Sequence, residues 1–205
     1  MTAMGIDKRD LGTQATDIIR DRILSGEICA GDKIMENDLA DGLGLSRGTV
    51  RSALHRLLQE ELIVQVPYSG WRVPVMTESD AWELMGVRRA FEGLAARLAA
   101  ENLTDEGRKQ LQASYDNLLA CSERGDLKEI ADADLALHRT IMTISGNMRL
   151  LRYFTMVEHQ IRLMIAQSNA SWSGPPEDIG IGHGQLVEAI LSGDGDLAEQ
   201  LGKTI

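Results

Sequence analysis

The stretch Glu36-Asn37-Asp38-Leu39-Ala40-Asp41-Gly42-Leu43-Gly44-Leu45-Ser46-Arg47-Gly48-Thr49-Val50-Arg51-Ser52-Ala53-Leu54 decides how the rest of this 205-residue chain is read. Its first half predicts a short helix with Leu39, Ala40 and Leu43 inward, and Gly42 to Gly44 predict a turn. Ser46 suits an N-cap, because its hydroxyl can accept from a free amide of the next helix. That helix sets Val50, Leu54 and Leu57-Leu58 on one face at helical spacing, with Arg47, Arg51 and Arg56 on others. From Gly42 through Gln59 there is no acidic residue, in a chain of net charge −10. A helix-turn-helix of this kind fits a DNA major groove, where guanidinium forks meet phosphate and guanine. The plainer alternative, a basic surface helix in an ordinary α-hairpin, leaves the local absence of acid unexplained.

The flanks extend the reading. Gln14 to Leu24 predicts an amphipathic helix with Ala15, Ile18-Ile19 and Ile23-Leu24 inward, closed by Ser25-Gly26. Leu62 to Val66 predicts a strand, Pro67 to Gly70 a turn, and Trp71 to Val75 a second strand. Helix, helix-turn-helix and hairpin together make a winged helix, with Tyr68 to Arg72 as the wing. Wings meet the DNA backbone or the minor groove, and Arg72 suits either.

These residues resemble the GntR family of bacterial transcription regulators. The matching pieces are Ile23-Leu24-Ser25-Gly26-Glu27, Gly31-Asp32, Glu36 to Leu39, Leu45-Ser46-Arg47, Val50-Arg51-Ser52-Ala53-Leu54 and Gly70, within residues 12–75. The resemblance implies DNA contacts from Ser46, Arg47, Thr49, Arg51, Gly70 and Arg72. The chain departs from the family's pattern at several places. Cys29-Ala30 stand where prolines are common, Asn37 where a DNA-contacting arginine is common, and Gly48-Thr49 where a Thr-Pro pair is usual. A different operator sequence is therefore expected.

Composition agrees with two small domains, since 43% of the residues are hydrophobic and the length suffices for two cores. No run of about 18 apolar residues suggests a membrane span. The N-terminal Asp7-Lys8-Arg9-Asp10 lacks the apolar segment of a secretion signal, so a cytoplasmic protein is expected. Cys29 and Cys121 are isolated, which suits reduced, inert thiols. Residues 1–75 carry nine Lys/Arg against eleven Asp/Glu, and residues 76–205 twelve against twenty. The basic charge is thus local to one helix. That points to a reader of particular sites and away from indiscriminate nucleic-acid binding.

From Thr77 onward only helical patterns occur. Thr77 with Asp80 predicts a helix to about Ala100, Thr104 caps one to about Glu123, and Asp126 opens one to about Ile144. Asn147 caps another to about Gln167. A loop from Ser168 to Pro176 holds Trp172, a helix runs from Glu177 to Leu191, and a last one begins near Leu197. The expected fold is mainly α: a winged helix-turn-helix over 12–75, then an all-α bundle of about six helices over 77–205.

Polar residues inside the apolar stripes are the second signal. One stripe runs Leu127, Ile130, Asp134, Leu137-His138, Ile141, so Asp134 and His138 share a buried face. His183 lies among Ile179, Leu186 and Ile190, and Arg88 among Leu84, Phe91, Ala95 and Leu98. A buried carboxylate without a partner costs several kcal/mol, so a metal or a cationic group should meet Asp134. A structural Arg88–Asp134 salt bridge is one alternative, and a core histidine satisfied by hydrogen bonds is another. His55 and His159 have no such setting, and Trp82 and Trp172 read as packing residues.

This second region resembles the FCD effector-binding domain of the FadR-like branch of the same family. The matching residues are Arg88 to Ala100, Asp134-Leu135-Ala136-Leu137-His138, Ser145-Gly146-Asn147, and His183 to Ile190 followed by Gly193-Asp194. The resemblance implies a divalent metal held by an aspartate and three histidines, with a small organic acid beside it. Asp134, His138 and His183 match three of those positions. The fourth falls 22 residues after His183 on Ile205, and the terminal helix is short for this domain. The chain is therefore expected to be truncated there or to depart from the family, with weaker metal binding. A mixed oxygen and nitrogen set suits zinc, nickel or manganese.

The expectation is a cytoplasmic, homodimeric repressor that reads a near-palindromic DNA operator and responds to a small carboxylate anchored by Arg88. A rival from another class is a metal-dependent hydrolase using Asp134, His138 and His183, for which no HExxH-type or paired-carboxylate motif supplies a base. A purely structural DNA-bridging protein would leave the buried polar cluster idle.

Overall fold

The computed structural model describes residues 10–167 and 177–204. They divide into two units: residues 10–78 with 159–167, and residues 79–158 with 177–204. Among the described residues no helix is long and apolar enough to cross a membrane.

The first unit is a winged helix. Helix α1, Leu11–Leu24, starts further out than the apolar spacing predicts, because the Asp10 carboxylate accepts from the Thr13 amide and caps it. Ala15, Ile19 and Ile23 are buried, while Ile18 is 44% exposed and turns outward, against expectation. Helix α2, Glu36–Leu43, ends at Gly44 in the left-handed conformation that a tight turn requires. Helix α3, Arg47–Gln59, begins at Ser46, whose Oγ accepts from the Thr49 amide at 3.1 Å. Val50, Leu54 and Leu57 are fully buried on its inner face.

A short strand, β1, Lys33–Ile34, precedes α2, and strands β2, Val64–Val66, and β3, Gly70–Arg72, form the wing hairpin. Strand β1 pairs with the other side of β3 and gives the order β1-β3-β2, all antiparallel. Two residues are too few to show an alternating pattern, which is why the sequence alone does not predict β1. Trp71 on the central strand is 4% exposed and completes this core together with Leu163.

The second unit is all-helical. It contains α4, Glu78–Glu101, α5, Asp105–Arg124, α6, Leu127–Ile144, and the first part of α7, Met148–Gln167. Beyond the undescribed stretch come α8, Glu177–Gly182, α9, Gly184–Ser192, and α10, Gly195–Gly202. Thr104, Asp126 and Asp194 each cap the helix that follows by accepting from its first amides, and Asn147 accepts from the Leu150 amide. Three sequence expectations need correcting. Leu127, in the first turn of α6, is 44% exposed; Leu197, expected on an inner stripe with Leu201 and Ile205, is 43% exposed; and Trp82 is 73% exposed rather than packed. Trp172 and Ile205 lie outside the described residues.

The predicted single helix from Glu177 to Leu191 is two. The break falls on His183, which sits between Gly182 and Gly184. Both pieces approach α5 closely. A Cβ on Gly180 would come 3.0 Å from Ser122 Oγ, and one on Gly184 would come 2.8 Å from the Tyr115 hydroxyl. Glycine there lets the two short helices seat against α5 and fixes where His183 points.

Candidate functional site

The first unit offers an exposed face on α3. Arg47, Arg51, Ser52 and His55 are exposed, and Ser46 and Thr49 are joined by a 2.8 Å hydroxyl contact at the helix start. Gly70 is exposed at the end of the wing turn with φ +85°, a backbone state that glycine adopts without strain. Tyr68, at the tip, is fully exposed and also has positive φ, 61°, which is unusual for an aromatic residue. Arg72 is not at the tip. It is half-buried at the wing base, where Nη1 donates to the Gly31 carbonyl.

Arg51 is not free-standing either. Its Nε and Nη2 donate to the Glu36 carboxylate at 3.1 and 2.7 Å, and the Trp71 indole N–H donates to the same carboxylate at 3.1 Å. Glu36 has its pKa lowered, chiefly by the Arg51 hydrogen bond. Sequence spacing does not reveal this pair, because fifteen residues and a turn separate its members.

In the second unit the structure brings Asp134, His138 and His183 together. Asp134 and His138 project from one face of α6, and His183 comes from the α8–α9 break. His183 Nε2 lies 3.0 Å from Asp134 Oδ1 and 3.2 Å from His138 Nε2, and His138 Nε2 lies 3.6 Å from Asp134 Oδ1. Both rings are buried, and Asp134 is partly so.

The outer nitrogens decide what this triangle holds. His183 Nδ1 sits 2.7 Å from the Ile179 carbonyl, which can only accept, so Nδ1 carries the proton. His138 Nδ1 sits 3.0 Å from Glu92 Oε1, a carboxylate, and is protonated for the same reason. In the neutral rings both Nε2 atoms are then lone pairs, facing each other and a carboxylate oxygen. Three acceptors converge without a donor among them, an arrangement that calls for a cation. Donors on one ion with bonds of about 2.1 Å stand about 3.0 Å apart at right angles and about 3.4 Å apart at tetrahedral angles. The observed 3.0 and 3.2 Å fall within that range and 3.6 Å lies slightly beyond it, so the donor set fits a divalent metal after a small adjustment of His138 against Asp134.

In the metal-free protein a proton takes that part. Burial opposes charge on His138, but the Glu92 and Asp134 carboxylates outweigh it and push its pKa up to about 9. Asp134 in turn is held well below the usual carboxylate range, against its own burial, by His138, His183 and Arg88.

Arg88 is buried beside this cluster. Its Nε donates to Glu92 Oε1 at 2.7 Å and its Nη2 to Asp134 Oδ2 at a longer 3.4 Å. Glu92, 3% exposed, therefore serves Arg88 and His138 with one oxygen, while its Oε2 has no hydrogen-bond partner among the described residues. The sequence does hold a signal for Glu92, since it lies one helical turn after Arg88 on the same stripe. The remaining histidines are elsewhere. His55 packs edge-on against Trp71, and His159 Nδ1 lies 3.3 Å from Glu60.

Comparison with known proteins matches residues 11–73 to the model described as bacterial regulatory proteins, gntR family, and residues 83–204 to the FCD domain. A probable D-xylose utilization operon transcriptional repressor of Paenarthrobacter nicotinovorans is 29% identical over 97% of this chain and 86% of its own. Among solved structures, Escherichia coli McbR/YncC superposes with a TM-score of 0.78 at 21% identity, covering 94% of this chain and 92% of that one. A putative GntR regulator of Rhodococcus sp. RHA1 has the same TM-score at 24% identity over the same shares. These two likenesses concern the fold.

Proposed function

This chain belongs to the GntR family of bacterial regulatory proteins and carries an FCD domain, and from that premise we propose a homodimeric repressor released or recruited by a small organic acid. It is a DNA-binding transcription regulator and not an enzyme; its relatives are regulators, and the hydrolase reading of Asp134, His138 and His183 is set aside. The xylose-operon relative is named a repressor, which supports that direction of control here.

DNA is read by α3, with Arg47, Thr49 and Arg51 at the groove, Ser46 fixing the helix start, and Gly70 and the wing beside the backbone. Arg72, turned to Gly31, supports the wing from below.

The observation that carries the sensor reading is the convergence of three acceptor atoms on one point beside a buried arginine. Asp134, His138 and His183 would hold one divalent ion, zinc, nickel or manganese, with Glu92 fixing the His138 tautomer. A bound ion would supply a Lewis-acidic centre for an effector oxygen. Arg88, Glu92, Asp134 and two neutral imidazoles sum to one negative charge, and a divalent ion makes the site singly positive. A carboxylate then neutralises it. The 3.4 Å Arg88–Asp134 contact is the weak one, and an acid group would take its place on the guanidinium while Glu92 keeps hold of Nε. A hydroxy- or dicarboxylic acid, giving one oxygen to the metal and a carboxylate to Arg88, suits this pair.

The test is a gel shift with promoter DNA from the gene's own neighbourhood, with and without such acids. Arg88→Ala should retain DNA binding and lose the response to acid. A response intact in a destabilised Arg88→Ala protein would make the arginine purely structural.

A further inference from the structure

We propose that Glu36 is a positioning residue for DNA readout: it clamps Arg51 by the side edge of the guanidinium and so presents the end-on edge to the major groove. This rests on the reading of α3 as the recognition helix.

A guanidinium has two edges that can donate a pair of parallel hydrogen bonds. Glu36 occupies the Nε–Nη2 edge at 3.1 and 2.7 Å. Among the described residues Nη1 makes no hydrogen bond, so the Nη1–Nη2 edge remains. That end-on fork is the one that matches O6 and N7 of guanine. Arg51 is 55% exposed, and without a clamp a side chain of this length samples many rotamers on the surface.

Glu36 can act as a clamp because it is itself fixed. It is the first residue of α2, where the helix dipole favours a carboxylate. Its Oε1 accepts from the indole N–H of Trp71, which is 4% exposed on the central strand of the sheet. Trp71 is in turn braced edge-on by His55, one turn beyond Arg51 on α3, with ring centroids 5.0 Å apart. The order of support runs from core to Trp71, to Glu36, to Arg51.

The charge carries a second consequence. A carboxylate on a DNA-facing surface repels phosphate, and paired with Arg51 it cancels that residue's general attraction to the backbone. Directional donors survive and undirected charge does not. Glu36 therefore raises the preference for the right sequence by both routes: it orders the base-reading edge and it lowers affinity for arbitrary DNA.

The experiment uses the full-length protein, a duplex selected by it from a random library, and a scrambled duplex of the same composition. In Glu36→Ala the affinity for the selected duplex should fall about tenfold or more. Affinity for the scrambled duplex should hold or rise, and its salt dependence should steepen by about one unit per recognition helix as Arg51 turns to phosphate. Glu36→Gln, which keeps an acceptor for Trp71, should recover part of the lost selectivity. In an Arg51→Ala background Glu36→Ala should change selectivity no further. A Glu36→Ala protein that loses affinity for both duplexes in step, or the same loss with Arg51 already removed, overturns the proposal. Should Glu36→Ala fail to fold, an unchanged selectivity and salt slope in Glu36→Gln overturns it. A wild-type protein that selects no duplex overturns the recognition-helix reading together with the clamp.

Discussion

Glu60, at the end of α3, shows how one side chain can hold the winged helix together and expose it to acid. Its two oxygens take a bidentate pair from Arg20 at 2.7 Å each, and one of them lies 3.3 Å from His159 Nδ1. Burial opposes the charge, but His159 and Arg20 outweigh it and bring the Glu60 pKa down to about 2. A carboxylate depressed in the folded state stabilises above its unfolded pKa and loses that contribution as pH falls through its folded one. The window here runs from the ordinary glutamate value of 4.5 down to about 2. Melting followed across that window should show an acid-labile part of about 2–3 kcal/mol, because each tenfold difference in proton affinity between the folded and unfolded chain is worth about 1.4 kcal/mol. Glu60→Gln should lower stability at neutral pH and flatten the curve; an equally steep acid limb in that variant would sink the assignment. A second prediction at this scale concerns His138. Purified protein should retain a divalent ion by elemental analysis and melt higher when the ion is added, since binding to the folded state alone stabilises it. His138→Ala should lose both effects, and acid should release the ion as the imidazoles protonate. Equal, negligible metal in the two proteins would count against the site.

Between elements in the second unit, α10 approaches α4 closely. A Cβ added to Gly202 would come 2.9 Å from the Glu92 carbonyl oxygen, which is backbone and cannot step aside. A Cβ on Gly93 would come 2.7 Å from Lys203 Cγ and 2.9 Å from its Cε, on a side chain that can swing towards solvent, and 3.2 Å from the Glu199 carbonyl oxygen. Gly202→Ala should therefore cost about 1–3 kcal/mol by overpacking, and Gly93→Ala distinctly less. Denaturant titration gives the comparison, and equal costs would show that α10 shifts freely. The same contrast of local with distant contacts explains what the sequence discloses. The helix-turn-helix is legible because Val50, Leu54 and Leu57 repeat within one helix and Ser46 caps it with its own neighbours. Caps at Thr104, Asp126 and Asn147 are legible for the same reason. The break at His183 is written in Gly182-His183-Gly184, but a continuous apolar stripe through Ile179, Leu186 and Ile190 hides it. Glu36 with Arg51, and Arg72 with Gly31, join only when the sheet packs on the helices, so no spacing rule reaches them. Ile18 and Leu127 read as inward because apolar residues at helix margins obey the same spacing as those in the core.

At the scale of the whole molecule the decisive quantity is how much sequence information one copy can read. A single recognition helix offers Arg47 and Arg51, and a good bidentate contact discriminates against the wrong base by about 1–3 kcal/mol. Specific sites exceed non-specific DNA by about 4–10 kcal/mol, so one copy, with two such contacts worth about 2–6 kcal/mol, reaches only the lower part of that range, whereas two copies cover it. The electrostatics agree, because a chain of net charge −10 gains little undirected attraction to DNA and must rely on directed contacts. Two copies related by a twofold axis require two half-sites in inverted repeat, on one face of the duplex about one helical turn apart. The protein, 22.5 kDa per chain, should accordingly travel as a dimer of about 45 kDa in light scattering. A footprint on its selected duplex should cover both half-sites. Inserting about half a helical turn, roughly 5 base pairs, between them should abolish tight binding, because the second α3 then faces the wrong side of the DNA. A monomer in solution that binds one isolated half-site as tightly as the full site would refute the dimeric reading and leave the recognition helix to account for specificity alone.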